Sequence, residues 1–203
     1  MRFTFKLVLF GDGGVGKTSL VERFVKGTFT SNTQITIGVA FLVKRLVING
    51  DPVDLSIWDF GGEERFRFLL PSYCRGVGGA IFMYDVTSPQ SLIHLEDWLP
   101  VVRSQKANLP ILALGTKSDL ESQRHVMLGD ASAFVAKYNI PDVMEVSAKT
   151  GQNVSESFSR ITKLMIENIF DPEMQTLTPL AARPKISPPR QERTDLWKRK
   201  WKF

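Results

Sequence analysis

The chain has 203 residues, 43% of them hydrophobic and 23% charged, which is ordinary for one globular domain with a full core. Its single cysteine, Cys74, excludes an internal disulfide and a cysteine-held metal cluster, and no apolar run reaches the ~18 residues of a membrane-spanning helix. The formal charge of +5 sits at one end: residues 181–203 hold 8 Lys or Arg against 2 Asp or Glu, whereas residues 1–180 hold 18 against 19.

In chain order, Phe5-Lys6-Leu7-Val8-Leu9-Phe10 reads as a buried strand, reached so early that no signal peptide is expected before it. Gly11-Asp12-Gly13-Gly14-Val15-Gly16-Lys17-Thr18 follows, and then a helical pattern, Ser19-Leu20-Val21-Glu22-Arg23-Phe24-Val25. A strand, a glycine loop and a helix start are the context that the G-x-x-x-x-G-K-[ST] motif needs. The glycines let the backbone curl so that successive N–H groups point at one anion, at the positive end of the helix. Lys17 is expected to reach the β- and γ-phosphates of a nucleotide, and the Thr18 hydroxyl to bind Mg²⁺. A glycine-rich strand–helix turn with no ligand is the plainer alternative. The motif in this context favours a nucleoside triphosphate.

Residues 27–38 are polar and Thr-rich and read as a surface loop. Two strands, over 39–48 and 53–58, flank Asn49-Gly50-Asp51 and predict an antiparallel hairpin. Residues 60–78 are irregular, with a short helix expected over 66–73. Ala80-Ile81-Phe82-Met83-Tyr84-Asp85 is a buried strand, and a helix is predicted over 88–107, capped by Thr87 or Ser88, with Pro89 in its first turn. A strand over 111–115, a helix over 129–138, a short strand over 143–146 and an amphipathic helix over 154–170 complete the alternation. That alternation implies a mainly parallel sheet covered on both faces, whose ligand sits beyond the carboxyl ends of the strands. From Asp171 the pattern stops, with Pro172, Pro179, Pro184, Pro188 and Pro189 breaking any helix; residues 171–195 are expected to be a disordered linker. The chain thus divides into a domain over 1–170 and a basic tail over 171–203.

Asp59 ends the third strand before Phe60-Gly61-Gly62-Glu63-Glu64, where an acid can hold Mg²⁺ and Gly62 can bring a backbone N–H to the γ-phosphate; capping of the next turn is the alternative for Asp59. Gly115-Thr116-Lys117-Ser118-Asp119 and Ser147-Ala148-Lys149 end the fifth and sixth strands. The Asp119 carboxylate can accept from guanine's ring N–H and amine, a pattern adenine does not offer. The stem of Lys117 can cover the base plane, and the Ala148 N–H can donate to the guanine carbonyl.

On these motifs the chain resembles a Ras-superfamily small GTPase over residues 4–170, and is most similar to the Rab family. Thr36-Ile37-Gly38-Val39-Ala40-Phe41, Trp58-Asp59, Glu64-Arg65-Phe66-Arg67, Pro71-Ser72-Tyr73-Cys74-Arg75-Gly76 and Tyr84-Asp85-Val86-Thr87 carry the Rab likeness. The resemblance implies an α/β P-loop NTPase, the Ras-like G domain, with six strands in a mainly parallel sheet flanked by five helices. It implies a GTP-hydrolysing switch, Rab-like, in membrane trafficking or signalling, with GTP or GDP and Mg²⁺ as ligands. Residues 27–38 and 60–76 become its two switches, with Thr36 joining Thr18 and Asp59 around the metal and Phe29 against guanine. The nucleotide set is then Gly11, Asp12, Gly13, Gly14, Val15, Gly16, Lys17, Thr18, Ser19, Phe29, Thr36, Gly62, Thr116, Lys117, Asp119, Ser147, Ala148 and Lys149, and the catalytic set Lys17, Gly62 and Glu63. Effectors, exchange factors and GTPase-activating proteins would read Thr36 and the aromatic set Phe41, Trp58 and Tyr73; ordinary packing at the sheet edge explains those aromatics equally well.

The chain departs from the family's pattern at four places. Glu63 stands where the family usually has the glutamine that orients water, which leaves open a GTP-binding interaction module with little hydrolysis. Thr33 replaces a common tyrosine, and Thr116 the commoner asparagine of the base motif. No prenylation motif is present; the chain finishes Leu196-Trp197-Lys198-Arg199-Lys200-Trp201-Lys202-Phe203. Basic residues interleaved with Trp197, Trp201 and Phe203 suit weak contact with an anionic membrane, a docking peptide for a protein, or a solvated tail; nucleic acid is not the expected partner. The expected location is the cytoplasm, or its face of a membrane.

Overall fold

Strand β1, Phe3–Phe10, sets the frame because its side chains alternate between two buried faces. Phe5, Leu7 and Leu9 pack with Leu20, Val21, Phe158 and Ile161 on one side, while Val8 and Phe10 join Phe82, Trp98 and Phe134 on the other. This is a computed structural model, and it describes residues 1–30, 36, 38–62, 70–104 and 106–170. The sheet runs β2-β3-β1-β4-β5-β6, with β2 Val39–Ile48, β3 Asp51–Phe60, β4 Gly79–Asp85, β5 Ile111–Thr116 and β6 Asp142–Glu145. Among the described residues only the β2–β3 pair is antiparallel, closed by Asn49 and Gly50 at φ 52° and 86° as the Asn-Gly pair predicts. Central β4 and β5 are buried along their whole length, which is why their sequences run apolar without alternation.

Helices cover both faces: α1 Lys17–Lys26, α2 Leu70–Tyr73, α3 Pro89–Ile93, α4 Leu95–Val102, α5 Leu128–Ala136 and α6 Val154–Phe170. The helix expected over 88–107 is two pieces that meet at His94; counted as one broken helix, they make the five that the fold implies. At His94 the bonding tightens, with the Asp97 N–H reaching the His94 carbonyl at 3.0 Å. Pro100 offers no N–H to the turn before it, and α4 ends two residues later. Ser88 holds the N-cap position but its side chain makes no capping bond; the Thr87 N–H instead donates to Asp85 Oδ1 at 2.8 Å. β6 begins one residue earlier than expected, at Asp142, and α5 is shorter than its predicted span of 129–138.

Glu63, Thr33, most of the helix expected over 66–73 and the whole tail from 171 lie outside the described residues. Among the described residues no helix is long and apolar enough to cross a membrane.

Candidate nucleotide-binding site

The strand order reverses direction at β1: the chain goes out to β2 and β3 on one side, then returns to β4 on the other. That reversal opens a crevice at the carboxyl end of β1, and residues 11–18 fill its floor. Gly11 at φ 133° passes so close to β4 that a Cβ would lie 2.2 Å from the Met83 carbonyl oxygen, so no other residue fits. Gly16 is left-handed at the N-cap of α1, and Lys17 opens the helix. The Lys17 ammonium is buried and donates to the carbonyls of Gly11 and Asp12 at 2.8 and 2.6 Å. Burial pushes it down to about 8, against the opposing pull of Asp59 and Asp12.

Above this floor lies a cavity of about 440 Å³, the size of a small-ligand site. Gly13, Gly14, Val15, Gly16, Lys17, Thr18 and Ser19 line one end, with Thr36 and Gly62; Phe29, Thr116, Lys117, Asp119, Ala148 and Lys149 line the rest. At the first end the Thr18 hydroxyl donates to Asp59 Oδ2 at 2.5 Å and lies 2.6 Å from the Thr36 hydroxyl. Asp59 is buried, its carboxyl pushed up by burial against the Thr18 hydrogen bond and Lys17, and its Oδ1 has no hydrogen-bond partner among the described residues. Two hydroxyls around a buried carboxylate with a spare oxygen suit a hard, oxygen-seeking cation whose other ligands come from phosphate and water.

At the other end the Ser147 hydroxyl donates to Asp119 Oδ1 at 2.6 Å, and the other carboxylate oxygen lies 3.9 Å from Lys149 Nζ. Lys117 sits at a left-handed φ of 60° and pairs with Asp85 at 2.7 Å, so its stem is held along the cavity wall. Four of the expected residues, Gly11, Asp12, Asp59 and Ser147, do not line the cavity; they stand behind the residues that do. Thr116 lines it, yet its hydroxyl turns inward and donates to the carbonyls of Val15 and Tyr84 at 2.6 and 2.9 Å. It ties the end of β5 to the glycine loop. Leu20, Thr30, Phe60, Leu120 and Val146 also line the cavity; they are apolar or small residues with no motif to mark them in a sequence.

The sequence profile of the Ras family matches residues 6–167. The chain belongs to the Ras family. It is 38% identical over 199 residues to the Ras-related protein Rab-19 of Xenopus laevis, covering 96% of this chain and 93% of that one. With Rab-19 of Rattus norvegicus and of Homo sapiens it shares 39% identity over 165 residues, 81% of this chain and 76% of theirs. It is therefore a Rab-like GTPase, a switch that binds GTP and GDP with Mg²⁺ and hydrolyses the triphosphate. A module that binds without hydrolysing gains no support over this reading. Like other members of its family, the Rab-like GTPase works through effectors, exchange factors and activating proteins. Three aromatics form a chain from the sheet to α2: Phe41 to Trp58 at 5.0 Å between ring centroids, and Trp58 to Tyr73, the last residue of α2, at 5.5 Å. Phe41 is 54% exposed.

Proposed function

We propose that the cavity holds GTP with its triphosphate over residues 11–19 and its base against Phe29, Lys117, Asp119 and Ala148. Backbone N–H groups of the glycine loop and the Lys17 ammonium bind the outer phosphates, and the Thr116 strap keeps the two halves of the site in register. Thr18, Thr36 and Asp59 would hold Mg²⁺, which when bound would supply positive charge to the triphosphate. Ser147 orients Asp119 so that its carboxylate accepts both guanine donors. Gly62 aims its N–H at the γ-phosphate, and Glu63 orients water, with Lys17 neutralising charge. Thr36, Phe41, Trp58 and Tyr73 form the face partners read, and the Trp197, Trp201 and Phe203 segment gives weak contact with anionic membrane in a cytoplasmic, peripheral protein of membrane trafficking.

The observation that carries the reading is the pairing of two unlike acids with one cavity: Asp59 behind its lining, bonded to Thr18, and Asp119 in the lining beside Ser147 and Lys149. Displacement of a fluorescent GDP tests it. GTP competes and ATP does not, and chelating Mg²⁺ accelerates release. Asp119→Asn weakens GTP by about 100-fold or more, on the scale of losing charged hydrogen bonds, and gains xanthosine triphosphate, whose carbonyl accepts from the new amide. Equal competition by ATP and GTP refutes the base assignment.

A further inference from the structure

An acidic residue in the middle of a loop built for polyphosphate needs an account, because a carboxylate facing the same space would repel the ligand. Asp12 is that residue, and it is absent from the cavity lining although Gly13 and the residues after it are present. Its carboxylate is turned away and occupied twice. His94 Nδ1 lies 2.6 Å from Asp12 Oδ2, and the Trp98 indole N–H donates to Asp12 Oδ1 at 2.9 Å. Trp98 is fully packed on α4, while His94 is the joint between α3 and α4, with its other ring nitrogen 2.9 Å from the Gln90 amide. The Asp12 backbone is engaged as well: its carbonyl accepts from Lys17 at 2.6 Å, and the Gly62 backbone lies directly against it.

We infer that His94 is a positioning residue for nucleotide binding: at the α3–α4 joint, with Trp98, it holds the Asp12 carboxylate outward and so fixes the phosphate loop with its N–H groups facing the ligand. The inference rests on the reading of residues 11–18 as a phosphate loop. His94 is not among the residues that line the cavity, and its hydrogen bond to the loop is the one to Asp12. When the imidazole is removed, Trp98 alone restrains the acid, one carboxylate oxygen is freed, and the loop gains both mobility and a negative charge able to turn inward.

The test is the release rate of a fluorescent GDP from the full chain, with unfolding temperature recorded for each variant. His94→Ala raises the rate about tenfold, the scale of one charged hydrogen bond. His94→Asn restores it to within about twofold of wild type, because the asparagine Nδ2 stands where the imidazole Nδ1 stood. In an Asp12→Ser background, His94→Ala adds nothing further, since the carboxylate it restrains is gone. A purely structural role at the joint would give the same factor in both backgrounds and no rescue by asparagine, and either result overturns the inference. A wild type that retains GDP while His94→Ala releases it at the wild-type rate overturns the inference alone. A wild type that never retains GDP overturns the phosphate-loop reading first.

Discussion

Glu63, read as standing where the family usually has glutamine, follows Gly62, which lines the cavity. On the proposed reading its carboxylate can accept a hydrogen bond from water as an amide oxygen can, but adds a negative charge beside the γ-phosphate. Glu63→Gln removes that charge and keeps the acceptor. Single-turnover hydrolysis should then rise by about tenfold, equivalent to ~1.4 kcal/mol in the barrier. An unchanged rate, with and without an activating protein, means that position 63 does not orient the water. Thr116 shows the opposite case, a residue whose difference is structural. Its single hydroxyl spans Val15 and Tyr84, so a threonine does the bridging between loops that the site requires.

Between elements, the segment leaving β3 passes tightly against the glycine loop. A Cβ on Gly62 would lie 2.3 Å from both the carbonyl carbon of Asp12 and the nitrogen of Gly13. Both neighbours are backbone, and both belong to a loop pinned by His94, Trp98 and Lys17, so neither can yield cheaply. Gly62→Ala should cost about 1–3 kcal/mol, as overpacking does, and lower the unfolding temperature of the GDP-loaded protein by about 3–10 °C. Gly129 in α5 is the contrast: a Cβ there meets nothing within 4 Å. Gly129→Ala should stabilise by ~0.5–1 kcal/mol through helix propensity. Equal thermal shifts in the two variants would show that contact at Gly62 does not govern the response.

For the whole molecule, the charge division decides how the domain and tail can cooperate. Residues 1–180 are nearly neutral and residues 181–203 strongly basic, so the net positive charge is confined to the end of the chain. On the proposed reading Lys198, Arg199, Lys200 and Lys202 would each contribute about 1 kcal/mol near an anionic bilayer, with Trp197, Trp201 and Phe203 adding interfacial burial. Ordering a segment costs about 1–2 kcal/mol per residue fixed, so the balance favours weak, reversible and salt-sensitive contact. Full-length protein should float with anionic liposomes at low salt and lose that association at raised salt, while a 1–180 truncation stays unbound throughout. Identical partitioning of the two would move the tail to a protein partner.

What the sequence determined by itself were the features encoded locally. The glycine loop before a helix, the Asn-Gly hairpin, the apolar central strands and the α6 boundaries at Val154 and Phe170 all follow from side-chain periodicity and turn chemistry within a few residues. The chemical identities of Lys17, Thr18, Asp59 and Asp119 were legible too, because their order at successive strand ends forms a recognisable set. The tertiary structure decided which way side chains face once strands separated in sequence become neighbours. Asp12 meets His94 and Trp98 across 82 and 86 residues, and Thr116 reaches Val15 across 101. No periodicity links such positions. They meet because β1, β4 and β5 lie side by side, so the loops that leave their carboxyl ends, and the helices those loops enter, converge on one crevice.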